Sequence, residues 1–183
     1  MTRSTKLSAL SLCVLALAAI GSWPAFADEP SAKVTCEILE NGEGASGEVS
    51  IQQNGTEVAT GTCGKELAIP AGTFDAILRL DGALDSPEQK QPLTVKKKGS
   101  AKLKADFATG LLEVSIASQG KRAAGMAIIK RDGKQIGTLG SGVPAHLSAG
   151  SYEVVARYRT QEKSWTDVKV EKGARVTLDA SFE

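Results

Sequence analysis

The chain has 183 residues, with 22 basic against 21 acidic side chains, one histidine, three cysteines and a net charge of +1. That balance argues against binding nucleic acid through bulk charge. A single histidine excludes a multi-histidine zinc centre.

The chain opens with an export leader over residues 1–27. Arg3 and Lys6 supply positive charge, residues 7–20 form an apolar run, and Ala25-Phe26-Ala27 is a small-residue cleavage site before Asp28. No adjacent arginine pair is present, so the signal reads as Sec-type, and Cys13 lies inside the apolar run, badly placed for lipid attachment. Cleavage after Ala27 makes the mature protein periplasmic or secreted, with no transmembrane segment. It leaves residues 28–183, with 20 basic and 21 acidic side chains and a net charge of −1.

The first strand after the leader carries Val34, Cys36 and Ile38 at alternate positions, the period of a half-buried β-strand. Asn54-Gly55 tolerates positive φ and predicts a hairpin between strands 48–52 and 57–61. Asn54-Gly55-Thr56 is also a formal glycosylation sequon, read here as a turn only. Leu67-Ala68-Ile69 leads through Pro70-Ala71-Gly72 into the most apolar strand, 73–80, and residues 93–97 with 101–107 read as a last hairpin. Cys36 and Cys63 are the two cysteines left after cleavage, and an even count in an exported chain predicts a disulfide. Closing that loop stabilises by about 3–4 kcal/mol in the chain-entropy model.

The pattern then returns. Ala45-Ser46-Gly47-Glu48-Val49 through Asn54-Gly55 reappears 78 residues later as Ala123-Ala124-Gly125-Met126-Ala127 through Asp132-Gly133, and 72–80 reappears as 150–158. Leu112, Val114 and Ile116 repeat the first strand, while Val114 and Ser141 stand where the cysteines were. The final pair, 168–172 with 176–182, aligns at an offset of 75, so three residues are missing from the loop after the central strand. Loops absorb such changes and cores do not. Two copies at this period are too few for a solenoid. About seven strands per copy, with no helical stripe, predict an all-β chain of two tandem Ig-like antiparallel β-sandwich domains, 28–109 and 110–183. The junction near Ala108-Thr109-Gly110 is too short for a flexible linker, so the domains sit close together. The first carries a net charge of −4 and the second +3.

The second copy's string Asp132-Gly133, Gly137, Gly140, Leu147-Ser148-Ala149-Gly150-Ser151-Tyr152, Val168-Lys169-Val170 and Val176-Thr177-Leu178 resembles bacterial exported modules. It looks like PEGA-type surface modules and the transthyretin-like regulatory domains of carboxypeptidases. That resemblance implies a β-sandwich fold and non-catalytic roles in display, scaffolding and carbohydrate or protein contact. It carries over no functional residue.

Chemistry-bearing residues are few. His146 precedes the Ala149-Gly150 turn, and a Ser-His-Asp arrangement could be assembled only with Ser148 or Ser151, without any nucleophile motif. No phosphate-binding loop is present, so no cofactor is expected. Asp81, Asp85 and Glu88 cluster in one loop but match no known calcium loop, and read as a solvated surface. Lys96, Lys98, Lys102 and Lys104 form a basic hairpin that protects an edge or meets an anionic surface. Trp165, the one tryptophan beyond the leader, is placed in the loop 161–166 with Arg159 nearby; it either caps the core or stacks on a partner. The expected function is a non-catalytic binding or scaffold protein of the cell envelope, contacting a protein or polysaccharide. The alternative is a secreted hydrolase, or an accessory domain of one, with His146 as base.

Overall fold

The computed structural model describes residues 31–183. The leader and its cleavage site lie outside the described residues. The first half runs β1 (Ala32–Glu40), β2 (Glu43–Ala45), β3 (Gly47–Gln53), β4 (Thr56–Thr62), β5 (Leu67–Ile69), β6 (Gly72–Leu80), β7 (Glu88–Val95) and β8 (Ser100–Phe107). The second half repeats it as β9 (Thr109–Ser118), β10 (Lys121–Arg122), β11 (Met126–Arg131), β12 (Lys134–Gly140), β13 (Ala145–Ser148), β14 (Gly150–Tyr158), β15 (Gln161–Val170) and β16 (Arg175–Phe182).

Each half is two sheets face to face, and the all-β sandwich architecture expected from the alternation is what the chain adopts. One sheet has the antiparallel order β4-β3-β6-β7, repeated as β12-β11-β14-β15. In the other, β2 and β5 share one edge of β1 while β8 lies along its opposite edge; β10, β13 and β16 do the same around β9. Inward side chains at alternate positions form two separate apolar cores. Val34, Ile51 and Leu78 are buried in one, and Leu112, Ile129 and Val154 in the other. Each such aliphatic side chain contributes about 1.5–3 kcal/mol on burial.

Two details differ from the sequence reading. The first and last strands of each half pair in parallel, from Lys33↔Ser100 to Glu40↔Phe107 and from Arg175↔Leu111 to Phe182↔Ser118. The segments 93–97 and 101–107 therefore do not form a hairpin, and neither do 168–172 and 176–182. At each place the chain leaves one sheet and crosses to the other. Period two tells which face a residue occupies, not which strand it pairs with. The short β2 and β10 raise the count from seven strands to eight per half.

Local chemistry explains the duplicated geometry. Asn54-Gly55 and Asp132-Gly133 are two-residue turns with both φ values positive, as are Asn41-Gly42 and Gln119-Gly120, which the sequence reading did not single out. This is the mirror-image turn that matches strand twist. A bulge follows Ile51 in one copy and Ile129 in the other. Gly47 and Gly125 are required by close approach. A Cβ on Gly125 would lie 2.6 Å from the Arg157 carbonyl oxygen, and one on Gly47 would strike that of Arg79.

The Cys36–Cys63 disulfide is present, with the Cα atoms 4.8 Å apart, inside the reach of about 7 Å that the bond allows. It ties β1 to the turn after β4. Beside it the Gly64 amide donates to the Cys36 carbonyl at 2.9 Å, just as Gly142 donates to Val114 at 2.8 Å.

Candidate functional site

The reactive side chains of the molecule gather where the halves meet. A single residue, Ala108, separates β8 from β9. The Asn41-Gly42 turn presents the Asn41 amide to the start of β9. Its Nδ2 donates to the Thr109 carbonyl at 3.0 Å, and the Thr109 N–H donates to Oδ1 at 2.9 Å. Thr109 is wholly buried, and its hydroxyl donates to Glu40 Oε1. His146 Nδ1, from β13 of the second half, lies 2.7 Å from the same carboxylate oxygen. A buried hydroxyl must find a partner, and here one carboxylate of the first half holds two groups of the second.

The loop between β6 and β7 supplies the larger part of the joint. Ala83 forms a parallel bridge with His146, and the Leu84 N–H donates to the His146 carbonyl at 2.8 Å. The Leu84 side chain occupies the space over Gly137, where a Cβ would sit 2.6 Å from it, and packs against the second core. The Asp85 side chain is 6% exposed. The Ser148 N–H donates to its Oδ1 at 3.1 Å, while Arg131 Nη1 and the Tyr152 hydroxyl lie 3.3 and 3.2 Å from Oδ2. Tyr152 donates to the Ser148 carbonyl at 2.6 Å. Burial, reinforced by the Asp85 charge and only partly offset by Arg131, pushes the Tyr152 phenol well above the ordinary phenol range.

This joint redraws the loop of Asp81, Asp85 and Glu88. It is not a solvated loop: Ala83 is buried and Asp85 turns into the second half. Glu88 pairs instead with Arg79, and no group of three His, Cys, Asp or Glu side chains is placed to hold a metal among the described residues. His146 does have an acid beside it. The small depression it lines, about 160 Å³ with Asn41, Thr109, Gly110, Leu111 and Gly173, offers one hydroxyl, Thr109, which is buried and committed to Glu40. General-base work needs a nucleophile within hydrogen-bond reach, and the bond of His146 goes to Glu40.

The four lysines do not share one face. Lys96 and Lys98 are exposed on the turn between β7 and β8, where Lys98 has φ 55°. Lys102 and Lys104 stand on β8 and reach Glu37 at 2.8 and 3.8 Å. The Lys102 hydrogen bond and then the two lysine charges hold Glu37 below the usual carboxylate range. Arg159 forms a two-residue turn with Thr160 and covers the Tyr158 ring at 5.2 Å. Trp165 is in β15, not in a loop. Asp167, at φ 57°, and a register shift reverse the alternation and turn Trp165 onto the second core, half-buried beneath Lys163 Nζ at 5.2 Å. The sequence reading missed Glu40, Asn41, Leu84, Arg131 and Tyr152. The available signal was the apolar pair Ala83-Leu84 inside an otherwise polar loop.

No protein-family model matches the chain, and no curated protein matches it. Among solved structures, a candidate adhesin of Bacteroides ovatus aligns at 8% identity and TM-score 0.45, over 85% of this chain and 94% of that one. The minor pilin GBS52 of Streptococcus agalactiae aligns at 11% identity and TM-score 0.38, over 82% and 94%. The Bacillus anthracis TIE protein aligns at 13% and 0.36, and there this chain spans 34% of the other. The PEGA-like and transthyretin-like pattern stays a likeness of turn and core positions.

Proposed function

We propose that this chain is a non-catalytic binding or scaffold protein of the bacterial cell envelope, exported by its leader and built from two domains, 28–109 and 110–183. The observation that carries this reading is the use made of its reactive groups. His146, Glu40, Asp85, Arg131 and Tyr152 are engaged with one another across the joint, so they hold the halves in place instead of facing a substrate. The Cys36–Cys63 bond fits an oxidising compartment. No helix among the described residues is long and apolar enough to cross a membrane.

The partner we infer is a protein or polysaccharide of the envelope. Lys96 and Lys98 on the free turn, Arg159 on the opposite turn, and the groove of Glu48, Ser50, Gln52, Glu57 and Arg79 on the outer sheet of the first half are the surfaces offered to it. The test is retention of envelope material on the immobilised mature chain, with mass spectrometry and sugar analysis of what elutes. A retained polysaccharide or protein, weakened by Lys96→Glu with Lys98→Glu, is expected. Turnover of an ester or glycoside substrate that vanishes in His146→Ala would overturn the reading in favour of the hydrolase.

A further inference from the structure

We propose that the second half carries a recognition site for an Ala-Leu-Asp turn, and that the first half's own loop fills it as a tethered ligand. This goes beyond the scaffold reading and does not depend on what the outer surfaces bind. The site has three parts, each matched to one residue. The edge of β13 takes the head of the turn through one isolated bridge, with the Leu84 N–H on the His146 carbonyl at 2.8 Å and Ala83 bridged to His146, while the Ser86 N–H closes the turn on the Ala83 carbonyl at 3.1 Å. A notch left by Gly137 takes the leucine side chain. A socket takes the carboxylate with two donors, the Ser148 N–H at 3.1 Å and the Arg131 guanidinium at 3.3 Å, and the Tyr152 hydroxyl, which donates to the Ser148 carbonyl at 2.6 Å, walls it at 3.2 Å. Backbone bonds supply attachment, and the notch and socket supply selectivity for leucine followed by a carboxylate.

The internal repeat provides an independent check. At the positions 78 residues earlier the first half has Gln53 for Arg131, Ala59 for Gly137, Pro70 for Ser148 and Phe74 for Tyr152. Proline has no N–H to give, phenylalanine has no hydroxyl, and alanine puts a Cβ in the notch. The strand edge is repeated as β5, but the notch and the socket groups are absent from the copy that has no loop to receive. Conversely, the second half lacks the ligand, because its corresponding connection is the two-residue turn Arg159-Thr160. The first half gives and the second half receives, so the contact closes within one chain and does not propagate to further copies.

The experiment uses the full chain carrying Leu84→Gly with Asp85→Ala, which empties the notch and socket, and a fluorescein-labelled peptide of residues 81–88. Fluorescence anisotropy is expected to show saturable binding to this variant. Wild type, whose site is filled, should bind at least ten-fold more weakly, and so should the variant with Arg131→Ala added. Equal binding to wild type and variant, or none to a variant that keeps its cooperative melt, overturns the proposal. Should the variant fail to fold, hydrogen exchange on wild type decides. The Leu84 amide is expected to exchange with the slow amides of β14; exchange at the rate of an open loop, with β14 protected, overturns it.

Discussion

The two halves solve one structural problem by different chemistry. Midway along the first strand the antiparallel neighbours leave a gap, and in both copies the turn after the fourth strand fills it with an amide, Gly64 on Cys36 or Gly142 on Val114. The first half adds a covalent bond, Cys36–Cys63. The second has Ser141 there, whose Oγ accepts from the Ile116 N–H at 3.0 Å, while Arg122 donates to the Ser141 carbonyl at 2.8 Å. The second half instead gains Leu84 and Asp85 from its neighbour. One half is braced from within and the other from outside. A repeat can thus keep its backbone plan while its copies draw stability from different sources.

The sharpest way to break that comparison is to remove the covalent brace. Cys36→Ala with Cys63→Ser should cost the first half about 3–4 kcal/mol. Trp165 is the one tryptophan among the described residues and both tyrosines lie in the second half. Circular dichroism should therefore lose amplitude at a denaturant concentration where Trp165 fluorescence has not moved. Coincident transitions would mean the halves share one cooperative unit.

Trp165→Ala probes the other half. A fully buried aromatic is worth about 3–5 kcal/mol on truncation, and this one is half-buried, so a loss of about 2 kcal/mol in a denaturant melt is expected. Unchanged stability would return Trp165 to the surface as a contact residue.

Tyr152→Phe makes the second half resemble the first, which has Phe74. The change should cost about 1 kcal/mol through the lost hydroxyl bond and should also alter the alkaline limb. Because folding raises the phenol's pKa, its contribution is complete below the unfolded value of about 10 and is lost as pH climbs above it. Wild type should therefore lose more stability than Tyr152→Phe between neutral pH and pH values above about 10, read by thermal melts at each pH. Parallel curves would disprove the coupling. The smallest effect belongs to His146→Gln, under about 1 kcal/mol, since the partly exposed pair with Glu40 is screened by solvent.

The duplication, the hairpins at Asn54-Gly55 and Asp132-Gly133, and the disulfide were legible because each is written in local sequence. Strand pairing was not: Val95 and Leu103 alternate as a hairpin would, yet enter one core from two different sheets. Trp165 was misplaced because one residue with positive φ, Asp167, reverses the parity of everything before it in β15. The joint was hidden for another reason. Asp85 is an ordinary loop carboxylate until Arg131 and Ser148, 46 and 63 residues away, are folded against it, and periodicity within a strand contains no record of such a meeting.

The parallel pairing of first and last strands decides how the molecule takes a pull. Tension along the chain enters the first half at Ala32 and leaves at Phe107, at opposite ends of the β1–β8 ladder. The two strands are then drawn past each other lengthwise, and the evenly spaced rungs of a parallel ladder share the load together instead of opening one at a time. The β9–β16 ladder meets the same pull in the same way. With Ala108 alone between them there is almost no slack to take up, so the chain is two shear clamps in series.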